Sequence, residues 1–218
     1  MTHYIAYKGK VGVSLAAMNR DYLPLLMQNA NNLEVTQGVL LRPPVTIEME
    51  EEWFNRIAKK SDTDHVFAIL LHEPPIDGVT QYRYIGHCGL HRISWPDGTA
   101  KTGSIILEKG LHGKGYGTEA KLLLLYHAFF VKGLRKVCSE VKAFNGNSWG
   151  HLLKAGYEQV GRRIRQHFHQ GMYVDEILFD VFREDFEVIW LKYEQTSELP
   201  KLSSEQKERL LEDSQILS

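Results

Sequence analysis

An apolar strand, Gly103-Ser104-Ile105-Ile106-Leu107, runs through the turn Gly110 to Ala120 into a long apolar helix, Ala120 to Phe130. Within the turn, Gly113, Gly115 and Gly117 alternate with Lys114 and Tyr116, and Thr118 follows. Lacking Cβ atoms, such glycines let backbone N–H groups turn toward one point and let a ligand come close. The helix that follows aims its positive end at the same place. Strand, glycine turn and helix start together predict a binding site for a phosphate or pyrophosphate.

Several nucleotide sites share this physics, and spacing separates them. A P-loop needs four residues between a first Gly and Gly-Lys-Ser/Thr, which neither Gly110 nor Gly113 supplies. The dinucleotide pattern G-x-G-x-x-G fails because Thr118 stands where a third small residue belongs. What fits is (Gln/Arg)-x-x-Gly-x-(Gly/Ala), read as His112-Gly113-Lys114-Gly115-Tyr116-Gly117 with His112 in place of Gln or Arg. Here the chain resembles the GNAT superfamily of acyl-CoA-dependent N-acetyltransferases, and within it the ribosomal-protein (Rim) type. A second block supports the resemblance. After the strand Val137-Cys138-Ser139-Glu140-Val141, Asn145 and Ser148 precede the helix-like Leu152-Leu153-Lys154-Ala155-Gly156-Tyr157, with the Asn-x-x-Ser and Gly-aromatic spacing of that superfamily.

The resemblance implies acetyl-CoA as cosubstrate, held by backbone from His112 to Thr118. The strand Ile105-Ile106-Leu107 would splay from its neighbour to take the pantetheine arm, with backbone N–H near Leu107 polarising the thioester oxygen. Asn145 would either hydrogen-bond that arm or bend the chain. Ser148 would either face the departing sulfur or cap the helix with Asn147; the tyrosine many relatives use lies one turn later, where this chain has Leu152. No metal is implied: ten histidines are present, yet none forms a His-x-x-x-His helix face or a Cys/His cluster.

The acceptor is less constrained. An alkylamine of pKa ~10.4 needs a base far more than a protein α-amine of ~7.7. Candidate bases are His167 and His169 on a late hairpin, Glu48 near a helix start, and His87 and His91 on a central strand. His167 leads, because the family often places an acceptor-side base after the second block. The segments Glu34 to Glu48 and Arg165 to Tyr173 are expected to wall the acceptor. Absence of a well-placed cysteine argues for direct attack in a ternary complex. The competing classes are a non-catalytic acyl-CoA-binding protein and a nicotinamide dinucleotide enzyme with Glu140 on the ribose.

At 218 residues and 43% hydrophobic, the chain suits one domain with a good core. Lys plus Arg number 26 and Asp plus Glu 27, a balance that argues against nucleic acid as a partner. The Met1 to Lys8 stretch has no basic-then-apolar signal and no run approaches ~18 apolar residues, so a cytoplasmic, non-membrane protein is expected, with a homodimer allowed. Cys88 and Cys138 read as buried small hydrophobes.

Along the chain, the predicted strands are Lys10 to Leu15, His65 to Leu71, Tyr82 to Trp95, Ala100 to Leu107, a strand from Lys136, and a hairpin of Arg162 to Phe168 and Tyr173 to Val181. Helices are expected from Arg20 to Asn29, after Thr46, and from Gly115 to Lys132. Alternation places Arg163, Arg165, His167 and His169 on one face. These elements give a mixed α/β fold: a mostly antiparallel sheet of about seven strands, splayed in its middle, helices on both faces. Residues 1–182 form the domain and 183–218 a helical extension, with a capped helix at Ser203-Ser204-Glu205-Gln206.

Overall fold

The structure is a computed structural model; it describes residues 3–39, 44–59 and 62–215. Eight strands form one sheet: β1 (Ile5–Lys8), β2 (Val13–Ala17), β3 (His65–Ile76), β4 (Val79–Ser94), β5 (Thr99–Ile106), β6 (Lys136–Lys142), β7 (Glu158–His169) and β8 (Met172–Phe182), in the order β1-β2-β3-β4-β5-β6-β8-β7. Every neighbouring pair is antiparallel except β5 and β6. The helices are α1 (Leu23–Ala30), α2 (Leu33–Thr36), α3 (Ile47–Lys59), α4 (Tyr116–Tyr126), α5 (Gly146–Lys154), α6 (Arg183–Thr196) and α7 (Ser204–Gln215). Past Tyr126, α4 widens into a π-helical stretch, His127–Val131.

Strand alternation divides the apolar residues into two cores. Val13, Leu15, Ile69, Leu71 and Ile85 pack with α4, α5 and α6 on one face, while Ala16, Ala68, Leu70 and Tyr84 pack with α1 and α3 on the other. Continuous apolar character across Leu122, Leu123, Leu124 and Leu125 buries α4 almost all round.

The eighth strand is an N-terminal one. In place of the single expected strand from Lys10 to Leu15, the chain makes β1, a turn, and β2. The cause is Glu119: its carboxylate, fully buried on α4, accepts hydrogen bonds from the N–H groups of Lys10, Val11, Gly12 and Val13 at 2.7–2.8 Å. Those amides leave the ladder to serve one anion. The Tyr193 hydroxyl on α6 completes the set at 2.5 Å, so the extension after residue 182 is stitched to α4. Ser203 and Gln206 cap α7 reciprocally, side chain to backbone, at 3.1 and 3.0 Å.

Cys88 is buried, whereas Cys138 is only half-buried. Among the described residues no helix is long and apolar enough to cross a membrane.

Candidate functional site

The parallel pair β5 and β6 stays in register only from Thr99 opposite Lys136 to Thr102 opposite Ser139. Beyond that point β5 follows β4 to Ile106, and β6 follows β8 to Lys142. A V-shaped gap opens between them, with Thr102 and Ser139 at its closed end.

On β5 the expected donor is committed elsewhere. The Leu107 N–H donates to Ile85 O on β4 at 2.9 Å, so it is unavailable to a thioester in the gap. Because N–H groups alternate sides along a strand, those of Ser104 and Ile106 face the gap instead. The Ile106 carbonyl, on the same side, meets the His112 ring Nε2 at 2.9 Å. His112 therefore closes the strand end, not a phosphate, which is the physical content of its replacing Gln or Arg.

At the open end of the gap lies the glycine turn. Gly113 and Gly115 have φ of +77° and +90°, conformations that side chains rarely adopt. The first helical bond of α4 runs from the Glu119 N–H to Gly115 O at 3.0 Å. The amides of Tyr116, Gly117 and Thr118 are left without an intrahelical acceptor, pointing out of the helix start. The Tyr116 ring does not join them: a Cβ added at Gly12 would lie 2.8 Å from its edge, which places the ring against the β1–β2 turn. The Lys114 side chain is exposed. Leu199, from the segment joining α6 and α7, approaches so closely that a Cβ on Gly115 would lie 2.5 Å from its Cδ1.

Across the gap, α5 begins after Asn145. The Asn145 Oδ1 accepts from the Ser148 N–H at 3.2 Å, and its Nδ2 donates to Gly38 O at 3.3 Å. Asn145 is thus the N-cap, with both polar ends occupied, and not Asn147 or Ser148. Ser148 lies in the first turn and lines the same cavity as Lys121 and His151.

That cavity, about 960 Å³, extends from Ile105 and Ser148 to α3, with Glu50, His87 and His167 on its walls. It is large enough for a pantetheine end and a small acceptor.

Comparison with known proteins accords with this geometry. Residues 13–158 match the model of the Acetyltransferase (GNAT) domain family. The chain belongs to the GNAT acetyltransferase domain family. A SPbeta prophage-derived uncharacterized N-acetyltransferase of Bacillus subtilis, YokL, is 34% identical over 76 residues, covering 35% of this chain and 43% of that protein. Among solved structures, the spermidine N-acetyltransferase of Vibrio cholerae, in complex with CoA and spermine, has a TM-score of 0.71 at 19% identity over 80% of this chain and 98% of that one. A putative acetyltransferase of T. thermophilus has 0.67 at 21% identity, over 87% and 95%. These structural likenesses establish the GNAT fold and do not show the Rim subtype.

Around the cavity of this GNAT domain, the base candidates separate. Glu48 is solvent-exposed at the start of α3, its carboxyl pulled below the ordinary range by its own backbone N–H and the Thr46 hydroxyl. Glu50, two residues on, is 7% exposed and faces the cavity, and burial raises its pKa. Among the described residues no donor reaches it. The sequence held a signal for this: Glu50, Trp53, Phe54 and Ile57 stand at i, i+3, i+4 and i+7. A glutamate shares the helix stripe that faces inward.

His87 is half-buried, its Nδ1 3.2 Å from the Tyr84 hydroxyl and its ring 5.1 Å from Trp53; burial and then His91 push its pKa to about 4. His91 Nδ1 lies 2.9 Å from Asp64 Oδ1. His169 stacks on Phe144, outside the cavity lining. His167 reaches the cavity with its side chain 11% exposed, Nε2 held 2.7 Å from Glu176 Oε1. Arg163 also bonds Glu176, and reaches Glu140 at 3.1 Å. Glu140 is thereby an ion-pair partner inside the cavity.

The expected common face of Arg163, Arg165, His167 and His169 is broken by a bulge. Arg163 pairs with Glu176 and His167 with Val174, so four residues on β7 span two on β8. Arg165 takes φ +52° within it, and its N–H donates to Asp175 Oδ1 at 2.7 Å. Of the expected acceptor segment Glu34 to Glu48, residues 40–43 lie outside the described residues. Val39 and Val45 line the cavity from either side of them.

Proposed function

We propose that this chain is an N-acetyltransferase moving the acetyl group of acetyl-CoA to a primary amine by direct attack in a ternary complex. The observation that carries the reading is the conjunction of the V-gap with the left-handed glycine turn at its open end. Unpaired strand amides suit an extended amide-bearing arm, and unpaired helix-start amides suit its diphosphate. Acetyl-CoA, when bound, supplies an activated thioester carbonyl.

In this reading the amides of Tyr116, Gly117 and Thr118 hold the diphosphate. The Ile106 N–H grips the arm and the Ser104 N–H polarises the thioester oxygen, the role that Leu107 cannot fill. Ser148 places its hydroxyl at the sulfur. His167, oriented through Nε2 by Glu176, keeps Nδ1 to take the proton of the attacking amine. Glu50 receives the acceptor's ammonium as it enters, since an unpaired buried carboxyl favours a cation.

The acceptor is a small amine or a flexible peptide end. A panel of polyamines, aminoglycoside-like amines and peptides, scored by thiol release, tests this. Turnover with at least one amine, lost by ~10²-fold in His167→Ala, is expected. Binding of CoA with no amine-dependent thiol release would replace transfer by a sensing role.

A further inference from the structure

The inner end of the cavity holds a group that transfer, as proposed, does not yet use. Lys121, on the second turn of α4, is 2% exposed and lines the cavity beside Thr102, Gly103, Ser104, Ser148 and His151. Among the described residues no carboxylate answers it. The groups that face it are Cys88 from β4, His151 from α5 and Tyr157 at the entry to β7, with Nζ 5.9 Å from the Tyr157 ring. All three are neutral: burial pushes the Cys88 thiol up to about 12, burial and then Lys121 push His151 down to about 3, and burial raises Tyr157 further above its ordinary value. Of the other carboxylates on the wall, Glu140 is taken by Lys101 and Arg163, Glu176 by Arg163 and His167, and Asp64 by His91, while Glu50, on α3, is not among the groups that act on Lys121.

A buried ammonium without a counterion is costly, and an anion arriving beside it relieves that cost. An arm entering past Ile106 and running back along β5 at ~3.3 Å per residue brings its sulfur toward the closed end of the gap, where Lys121 lies. The bound thioester is neutral and the departing thiolate is not. A charge there acts on the transition state far more than on the ground state, which raises kcat without tightening KM.

We propose that Lys121 is a catalytic acid that stabilises and protonates the departing coenzyme A sulfur. As the acceptor nitrogen forms its bond to the acyl carbon and the C–S bond breaks, the electron pair leaves on sulfur, and Lys121 gives that sulfur a proton. The acceptor's proton goes to His167, and Lys121 recovers its own from water. Burial lowers the Lys121 pKa to about 8, close to the ~8.5 of a free thiol, so the transfer is nearly balanced. The proposal rests on the transferase reading given above.

The test compares the wild type with Lys121→Met and Lys121→Gln, all as full chains. Removing an unpaired buried charge is expected to leave folding intact, with Tm no lower than wild type. CoA titrated in the bound complex, followed by ultraviolet thiolate absorbance, is expected to ionise at lower pH in the wild type than in either variant. Both variants are expected to lose ~10²-fold in kcat with KM for acetyl-CoA unchanged. A thiolate titration or a kcat the same as wild type in both variants overturns the role of Lys121. Failure of the wild type to bind CoA at all would instead overturn the transferase reading.

Discussion

Two buried glutamates, one on the cavity wall and one behind the glycine turn, are treated in opposite ways. Glu119, just inside α4, is surrounded by four backbone amides and the Tyr193 hydroxyl. Glu50, on α3, is nearly as buried and meets no donor among the described residues. A buried charge that the protein satisfies is scaffold, because removing it strands the donors gathered around it. One left unsatisfied beside a cavity is waiting for a ligand, because nothing in the fold repays its desolvation. Lys121 is the cationic counterpart of Glu50. The glycine turn is thus backed by a closed charge, whereas the cavity wall carries two open ones, Glu50 and Lys121.

The largest effect that can break this contrast is expected at Glu119. Glu119→Ala should cost on the order of 3 kcal/mol in urea unfolding, since four amides and a hydroxyl lose their acceptor. A cost below ~1 kcal/mol would mean that the β1–β2 turn holds itself. Next comes Gly115→Val, which sets a β-branched residue at φ +90° against Leu199. CoA binding measured by calorimetry should weaken at least ~10-fold, and unchanged affinity would show that this glycine does not shape the cradle.

Glu50→Gln sharpens the comparison by separating function from stability. The acceptor KM should rise ~10-fold, as expected when a charged hydrogen-bond partner of ~1.5 kcal/mol is lost. Stability should move the other way. Burial raises the Glu50 pKa above its unfolded value, so the folded state is favoured below the ordinary carboxylate range and that advantage is lost as pH rises through the raised value. Glu50→Gln removes the loss, and its Tm relative to wild type should climb from acid to neutral pH. A Tm difference that is flat with pH would contradict an ionising Glu50. The smallest effect is expected at Ser148→Ala, ~10-fold in kcat, because a thiol is already a fair leaving group. An unchanged kcat would leave Ser148 with helix packing alone.

The same contrast decides what was legible in the chain. A cradle made of main-chain amides needs glycine at positive φ, and glycine at Gly113 and Gly115 is visible as a letter. The splayed strand and the two-faced sheet follow from that turn and from period-two burial. Which β5 amides face the gap was not legible, because Leu107 and Ile106 differ by one step of alternation that only the pairing with β4 fixes. The β7 face differs for a related reason: two extra residues in the bulge keep the phase, so Arg163 and His167 both still reach Glu176, but they lift Arg165 out of the ladder, and nothing in Ile164-Arg165-Gln166 marks this. Glu50 and Glu119 carry a sequence signal of their own. Each is an acid on an inward helix face, and reading them needed the rule that a charge among apolar neighbours must have a partner or a purpose.

The cofactor half of the groove depends on where the free amides at the start of α4 go. Hydrogen exchange of the protein with and without CoA measures this directly, residue by residue. Protection is predicted to appear at Tyr116, Gly117 and Thr118, and at Ser104 and Ile106 along the gap, while Leu107 stays as protected without CoA as with it. Protection confined to other segments, with these amides unchanged, would contradict it.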